Sequence, residues 1–177
     1  MIASEDRRRL LVLARAALEA RVRRLPAPEA GSGGALDLPR GAFVTIHHGG
    51  NLRGCLGRID ADRRLGEVVA YLAAVVADSD PRFPIVMTDE LSNVTIEISV
   101  LTPEEEVVDI ESIDVGRHGL IVEQGGRRGL LLPQVASEHA WDRATFLAQT
   151  CVKAGLPPDA WRRGAKVYCF EAEVFGE

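Results

Sequence analysis

Lysine is almost missing from this 177-residue chain: Lys153 and Lys166 are the only two among 21 basic residues. The other basic residues are arginines, a bias that reads as genome base composition rather than as a phosphate-binding signal. Aromatic residues make up 5%, so there are few platforms on which successive bases of a single strand could stack. The net charge is -5, which excludes a broad basic surface for duplex nucleic acid and leaves room for a local anion pocket. The three cysteines, Cys55, Cys151 and Cys169, form no Cys-x-x-Cys pair, and the four histidines are scattered. That spacing does not suit a structural zinc site, and no metal ligand set is assigned. An odd number of cysteines without a secretory signal fits reduced thiols in a cytoplasm. The apolar run Leu10-Leu11-Val12-Leu13 is broken at Arg15, short of the roughly 7–15 residues of a signal-peptide core. No stretch approaches the roughly 20 apolar residues of a membrane span.

What is present is ordinary globular material, 46% hydrophobic and 27% charged, enough for a sizeable core. The chain reads as one domain over 1–177. Residues 4–24 are predicted as a helix capped by Ser4, with Leu11, Ala14, Leu18, Val22 and Leu25 as its apolar face and Pro26 as its stop. Residues 1–26 would pack on the same core as the rest, and 27–40 read as a loop rich in Pro, Gly and Ala. A second helix is expected over 63–77 and a third over 142–154, capped by Asp142. Residues 93–101 form the clearest strand, with Val94, Ile96, Ile98 and Val100 on one side and Thr95, Glu97 and Ser99 on the other. Hairpins are expected around Gly49-Gly50 and Gly125-Gly126, and one closing strand over 166–175. Strands outnumber helices without βαβ alternation, which predicts an α+β fold: an antiparallel or mixed sheet with packed helices.

The first hairpin has two registers. A two-residue loop, Gly49-Gly50, sets Val44 opposite Cys55 and mixes apolar with charged groups on each face. A three-residue loop, Gly49-Gly50-Asn51, sets Thr45 opposite Cys55 and His47 opposite Arg53. It gathers Val44, Ile46, Leu52 and Leu56 on the other face, and the apolar pattern selects it. Thr45, His47, Arg53 and Cys55 then share a face. A guanidinium beside a thiol favours the thiolate, while Gly54 and Gly57 leave space for a ligand or another backbone. The plainer reading is that Cys55 is a small buried residue and His47 an exposed one.

These residues also carry a resemblance. Gly41-Ala42-Phe43-Val44-Thr45, Leu52-Arg53-Gly54-Cys55-Leu56-Gly57, Asp80-Pro81-Arg82-Phe83, Glu97-Ile98-Ser99-Val100-Leu101, His118-Gly119, and Gly129-Leu130-Leu131-Leu132-Pro133-Gln134-Val135 stand in one order. Cys151, Lys153-Ala154-Gly155-Leu156 and Trp161 follow. The chain resembles the AMMECR-one domain family, whose bacterial and archaeal members are called AmmeMemoRadiSam system protein A; Leu56 replaces the family's usual Ile. The resemblance implies a larger and a smaller lobe with a cleft between them. It further implies an association with Memo-like and radical S-adenosylmethionine proteins, and it brings no settled activity and no cofactor.

The remaining candidates divide between roles. Asp80 and Arg82 form either an ion pair holding their loop or a site where Arg82 faces an anion. Glu97 is either a solvated strand residue or a general base that orients His47 or Arg53. His118 reads as a turn residue able to move protons near neutral pH. Gly125-Gly126-Arg127-Arg128 lacks the setting of a phosphate loop and reads as a hairpin tip. Two functions follow. One is a catalytic or accessory component, with Cys55 and Arg53 acting on a small anionic or nucleotide-like substrate. The other is a non-catalytic binding or adaptor domain whose cleft holds a peptide or partner protein.

Overall fold

The computed structural model describes residues 1–177. In chain order the elements are α1 (Ser4–Arg23), β1 (Ala42–His48), β2 (Asn51–Arg58), α2 (Leu65–Val75), β3 (Val94–Leu101) and β4 (Glu105–Glu106). Then come β5 (Gly119–Gln124), β6 (Arg127–Leu131), α3 (Pro133–Glu138), α4 (Arg143–Lys153), β7 (Lys166–Phe170) and β8 (Ala172–Gly176). The α+β class expected from the sequence is the observed one. No helix is long and apolar enough to cross a membrane.

The chain divides into two compact units, 1–101 with 173–177, and 102–172. In the first, a four-stranded sheet runs in the order β2-β1-β3-β8, with β1 antiparallel to β2 and to β3. Alternation puts Val44, Ile46, Val94, Ile96, Ile98 and Val100 on one face, all buried in a core with α1 and α2. The buried residues of α2 include Leu65, Val68, Val69, Leu72 and Ala73, the stripe read from the sequence. That of α1 is rotated from the expected one. Leu10, Leu13, Ala14, Ala17 and Leu18 are buried, while Leu25 is exposed. Ala14 and Leu18 are common to both stripes, Leu11 and Val22 pack half-buried at the core's margin, and Ala17 and Ala20 extend the buried stripe. Ser4 does not cap α1: Ala3 holds the cap position with no side-chain hydrogen bond. The Asp6 carboxylate of the first turn instead accepts the Ala35 N–H at 2.8 Å.

The single closing strand is two. The chain leaves the second unit's sheet after Phe170 and enters the first unit's sheet at Ala172. There Glu173 and Glu177 pair with Arg7 and Arg15 of α1, and Phe175 packs against the core.

The second unit has its own sheet, ordered β4-β7-β5-β6, and its own core around Leu120, Val122, Phe146, Leu147, Cys151 and Val167. Asp142 caps α4 as expected, accepting the Thr145 N–H at 2.8 Å. Gly129 of β6 lies against the backbone of Lys153 and Ala154, so a side chain there would collide with the end of α4.

Candidate functional site

The β1–β2 hairpin resolves the register question by combining both readings. Gly49 and Gly50 form a two-residue turn with φ of 57° and 82°, which pairs His48 with Asn51 and His47 with Leu52. One extra residue, Arg53, then bulges from β2, and pairing resumes as Ile46↔Gly54, Thr45↔Cys55 and Val44↔Leu56. The bulge restores the pairing that the apolar pattern demands without a longer loop. Two expectations are corrected. His47 faces Leu52 rather than Arg53, and Leu52, shifted to His47's side, is exposed instead of joining the core.

Thr45 is the cross-strand neighbour of Cys55 on one side and of Glu97 on the other. Cys55, Thr45 and Glu97 therefore form a row across three strands, on the face opposite the α1/α2 core. The Thr45 hydroxyl donates to Cys55 Sγ at 3.3 Å. His47 lies two residues along β1 on the same face. The thiol is half-buried, whereas Cys151 is buried in the second unit's core. Burial pushes the Cys151 and Cys169 thiols above their ordinary value.

Cys55 is held from the outer edge of the sheet. Asp80 Oδ2 accepts the Cys55 N–H at 2.9 Å, and Arg82 Nη2 donates to the Cys55 carbonyl at 3.2 Å. Those backbone groups thus point away from β1, the arrangement that brings the paired side chains of an antiparallel ladder closest. Asp80 also accepts from Arg82 N at 3.1 Å, Nε at 2.9 Å and Nη2 at 2.7 Å. Its side chain is 2% exposed and that of Arg82 56%. The Arg82 guanidinium holds the Asp80 carboxyl far below the usual carboxylate range, helped by the Cys55 and Arg82 N–H groups. The ion pair weighed for this loop is formed, and it grips the strand as well as the loop.

Arg53 is directed elsewhere. Its Nε and Nη2 clasp Glu90 at 2.8 and 3.0 Å, and its Nη1 and Nη2 donate to the carbonyls of Pro84 and Ile85 at 2.8 and 3.0 Å. Its side chain is 12% exposed. The bulge turns it off the Cys55 face and makes it a strut for residues 84–90, so the guanidinium beside Cys55 belongs to Arg82. Glu90, which also accepts the Met87 N–H at 2.7 Å, was missed in the sequence. The available signal was an acidic residue three positions into a helical turn, where it reaches back to the turn's first N–H.

The space beside the two glycines is filled by the protein. A Cβ on Gly54 would meet Val76 Cγ2 at 3.0 Å, and one on Gly57 would fall into the Phe43 ring. Neither leaves the opening for a ligand that the sequence suggested. His118 belongs to the second unit, where its Nδ1 accepts the Asp114 N–H at 3.0 Å and Nε2 lies 3.8 Å from Glu171. It acts there as a turn residue.

Fold and site together describe a two-unit α+β protein with a half-buried thiol on the sheet face opposite the helices. A model of the AMMECR1 family matches residues 11–175, and the chain belongs to that family. A protein of Methanosarcina mazei is 48% identical over 78% of this chain and 72% of its own. One from Methanothermobacter thermautotrophicus is 42% identical over 99% and 96%. The crystal structure of an uncharacterised protein from Pyrococcus horikoshii, 42% identical, covers 99% of this chain and 93% of that one with a TM-score of 0.84.

Proposed function

We propose that this chain is a catalytic or accessory component that engages a small anionic or nucleotide-like substrate through Cys55, working with Memo-like and radical S-adenosylmethionine proteins in the cytoplasm. The observation that supports it most is the row of Cys55, Thr45 and Glu97, each half-buried, on the sheet face opposite the packed α1/α2 core. A thiol and a hydroxyl bonded to it supply a nucleophile and its hydrogen-bonding partner, and the carboxylate one strand beyond Thr45 can take a proton from bound substrate rather than from the thiol. Arg53 supports this site from behind by fixing residues 84–90.

A second reading is a non-catalytic adaptor, favoured by the full engagement of Arg53 in structure and by the exposed Leu52, Ile85 and Met87 nearby. One experiment separates the two. The protein is quenched in acid directly from its cells and read by intact-mass and peptide-level mass spectrometry. The covalent reading expects a substoichiometric adduct on the peptide containing Cys55 that disappears in Cys55→Ser. No adduct, with the partner proteins still captured by Cys55→Ser, would leave the adaptor.

A further inference from the structure

Two arginines approach the Cys55 strand, and they differ in what they leave free. Arg53 has Nε and both Nη groups bonded within the protein. Arg82 bonds Asp80 through Nε and Nη2 and the Cys55 carbonyl through Nη2, while Nη1 has no partner. The Arg82 side chain is 56% exposed; its counter-charge, Asp80, is 2% exposed. An incoming anion therefore meets the guanidinium and not the carboxylate. The Phe83 ring, 5.4 Å from the guanidinium carbon, helps fix the fork. The Nη2 bond to the Cys55 carbonyl at 3.2 Å places the cation on the same residue as the thiol, and Asp80 holds Arg82 above its ordinary pKa.

Glu97 sets the direction of approach. It lies two strands in from β2 on the same face, with Thr45 between, about 10 Å from the Cys55 strand at ordinary strand spacing. A negative group is repelled from that side and drawn to the outer edge of β2.

The geometry points to Arg82 as the anion anchor of the Cys55 site, selecting substrates whose carboxylate or phosphate lies within a few bonds of the atom that meets the sulfur. This rests on Cys55 being a reactive thiol, and the test keeps the two apart. Iodoacetate and iodoacetamide alkylate by the same step: the thiolate sulfur attacks the CH2 carbon, a C–S bond forms, the C–I bond breaks, iodide leaves, and the thiol proton has gone to solvent. Only iodoacetate carries a carboxylate next to that carbon.

Rates at Cys55 are measured for both reagents by peptide mass spectrometry in the full chain. Arg82→Gln is expected to lower the iodoacetate-to-iodoacetamide ratio about three- to tenfold, and added salt is expected to lower the wild-type ratio toward that of the variant. Arg82→Lys keeps the charge and should keep most of the ratio. Asp80→Asn, which removes the counter-charge, should raise it. These two variants and the salt series decide the matter should Arg82→Gln not fold. A loop with a merely structural role slows both reagents alike, so a ratio unmoved by Arg82→Gln, Asp80→Asn and salt overturns the anchor. A Cys55 inert to both reagents overturns the thiol reading itself, and the anchor with it.

Discussion

Asp80→Ala is expected to lower the stability of the protein by about 3 kcal/mol, the lower end of the range for removing the buried partner of a hydrogen-bonded ion pair. The carboxylate accepts four hydrogen bonds, from Cys55 N, Arg82 N, Arg82 Nε and Arg82 Nη2. Its loss leaves the Cys55 N–H without a partner and Arg82 without a counter-charge. Because Arg82 is half in water, the guanidinium is rehydrated, and the cost stays below that of stranding a fully buried charge. Urea midpoints of wild type and variant measure it. Asp80→Asn keeps the shape and an acceptor, so it should cost less. The pH dependence has a definite sign. The folded-state pKa of Asp80 is depressed, so its stabilisation is fully present above the unfolded carboxyl value of about 3.9 and fades as pH falls toward the folded one. The stability gap between wild type and Asp80→Asn is therefore expected to be constant from neutral pH down to about 5 and to shrink below about 4. A gap that widens on acidification would contradict the assignment.

Arg53→Ala is the second large effect, expected at about 2–4 kcal/mol because it removes charged hydrogen bonds to a carboxylate and to two carbonyls together. Glu90 would keep only its bond from Met87 N. Arg53 holds the Glu90 carboxyl below its ordinary range, so the pair acts as an ion pair at neutral pH. Residues 84–90 lose their tie to β2, and hydrogen exchange there should rise well above that of the α1/α2 core. Cys55 alkylation in the folded protein should stay within about twofold, since a strut lends the thiol no charge. A large fall in alkylation with unchanged exchange at 84–90 would return Arg53 to the role of thiol activator.

Most of the fold was readable in the sequence because one-sided burial writes itself into spacing. The alternation of Val94, Ile96, Ile98 and Val100, the stripe of α2, and Asp142 ahead of α4 each had one physical reading. The Thr45–Cys55 pairing was also recoverable, since any other register mixes apolar and charged faces. The bulge at Arg53 was not, because an inserted residue and a longer turn produce the same downstream pattern. That ambiguity sets Arg53 beside Cys55 in the sequence pattern, where the structure turns it away. The true neighbour, Arg82, is 27 residues away in a loop, and a loop's return to an edge strand leaves no periodic trace. The break after Phe170 escaped for a related reason: one apolar run served two sheets. Gly54 and Gly57 advertised close approach correctly, but sequence does not say whether ligand or protein fills the gap.

The contrast that carries the reading is between Cys55, half-buried on the sheet face, and Cys151, sealed in a core. It is tested by the iodoacetamide rate at each cysteine in the native protein, divided by its rate in denaturing urea. Cys55 should be slowed by no more than about tenfold on folding, Cys151 by about a thousandfold or more, and Cys169 by an amount between them. Protection of Cys55 equal to that of Cys151 would contradict the claim.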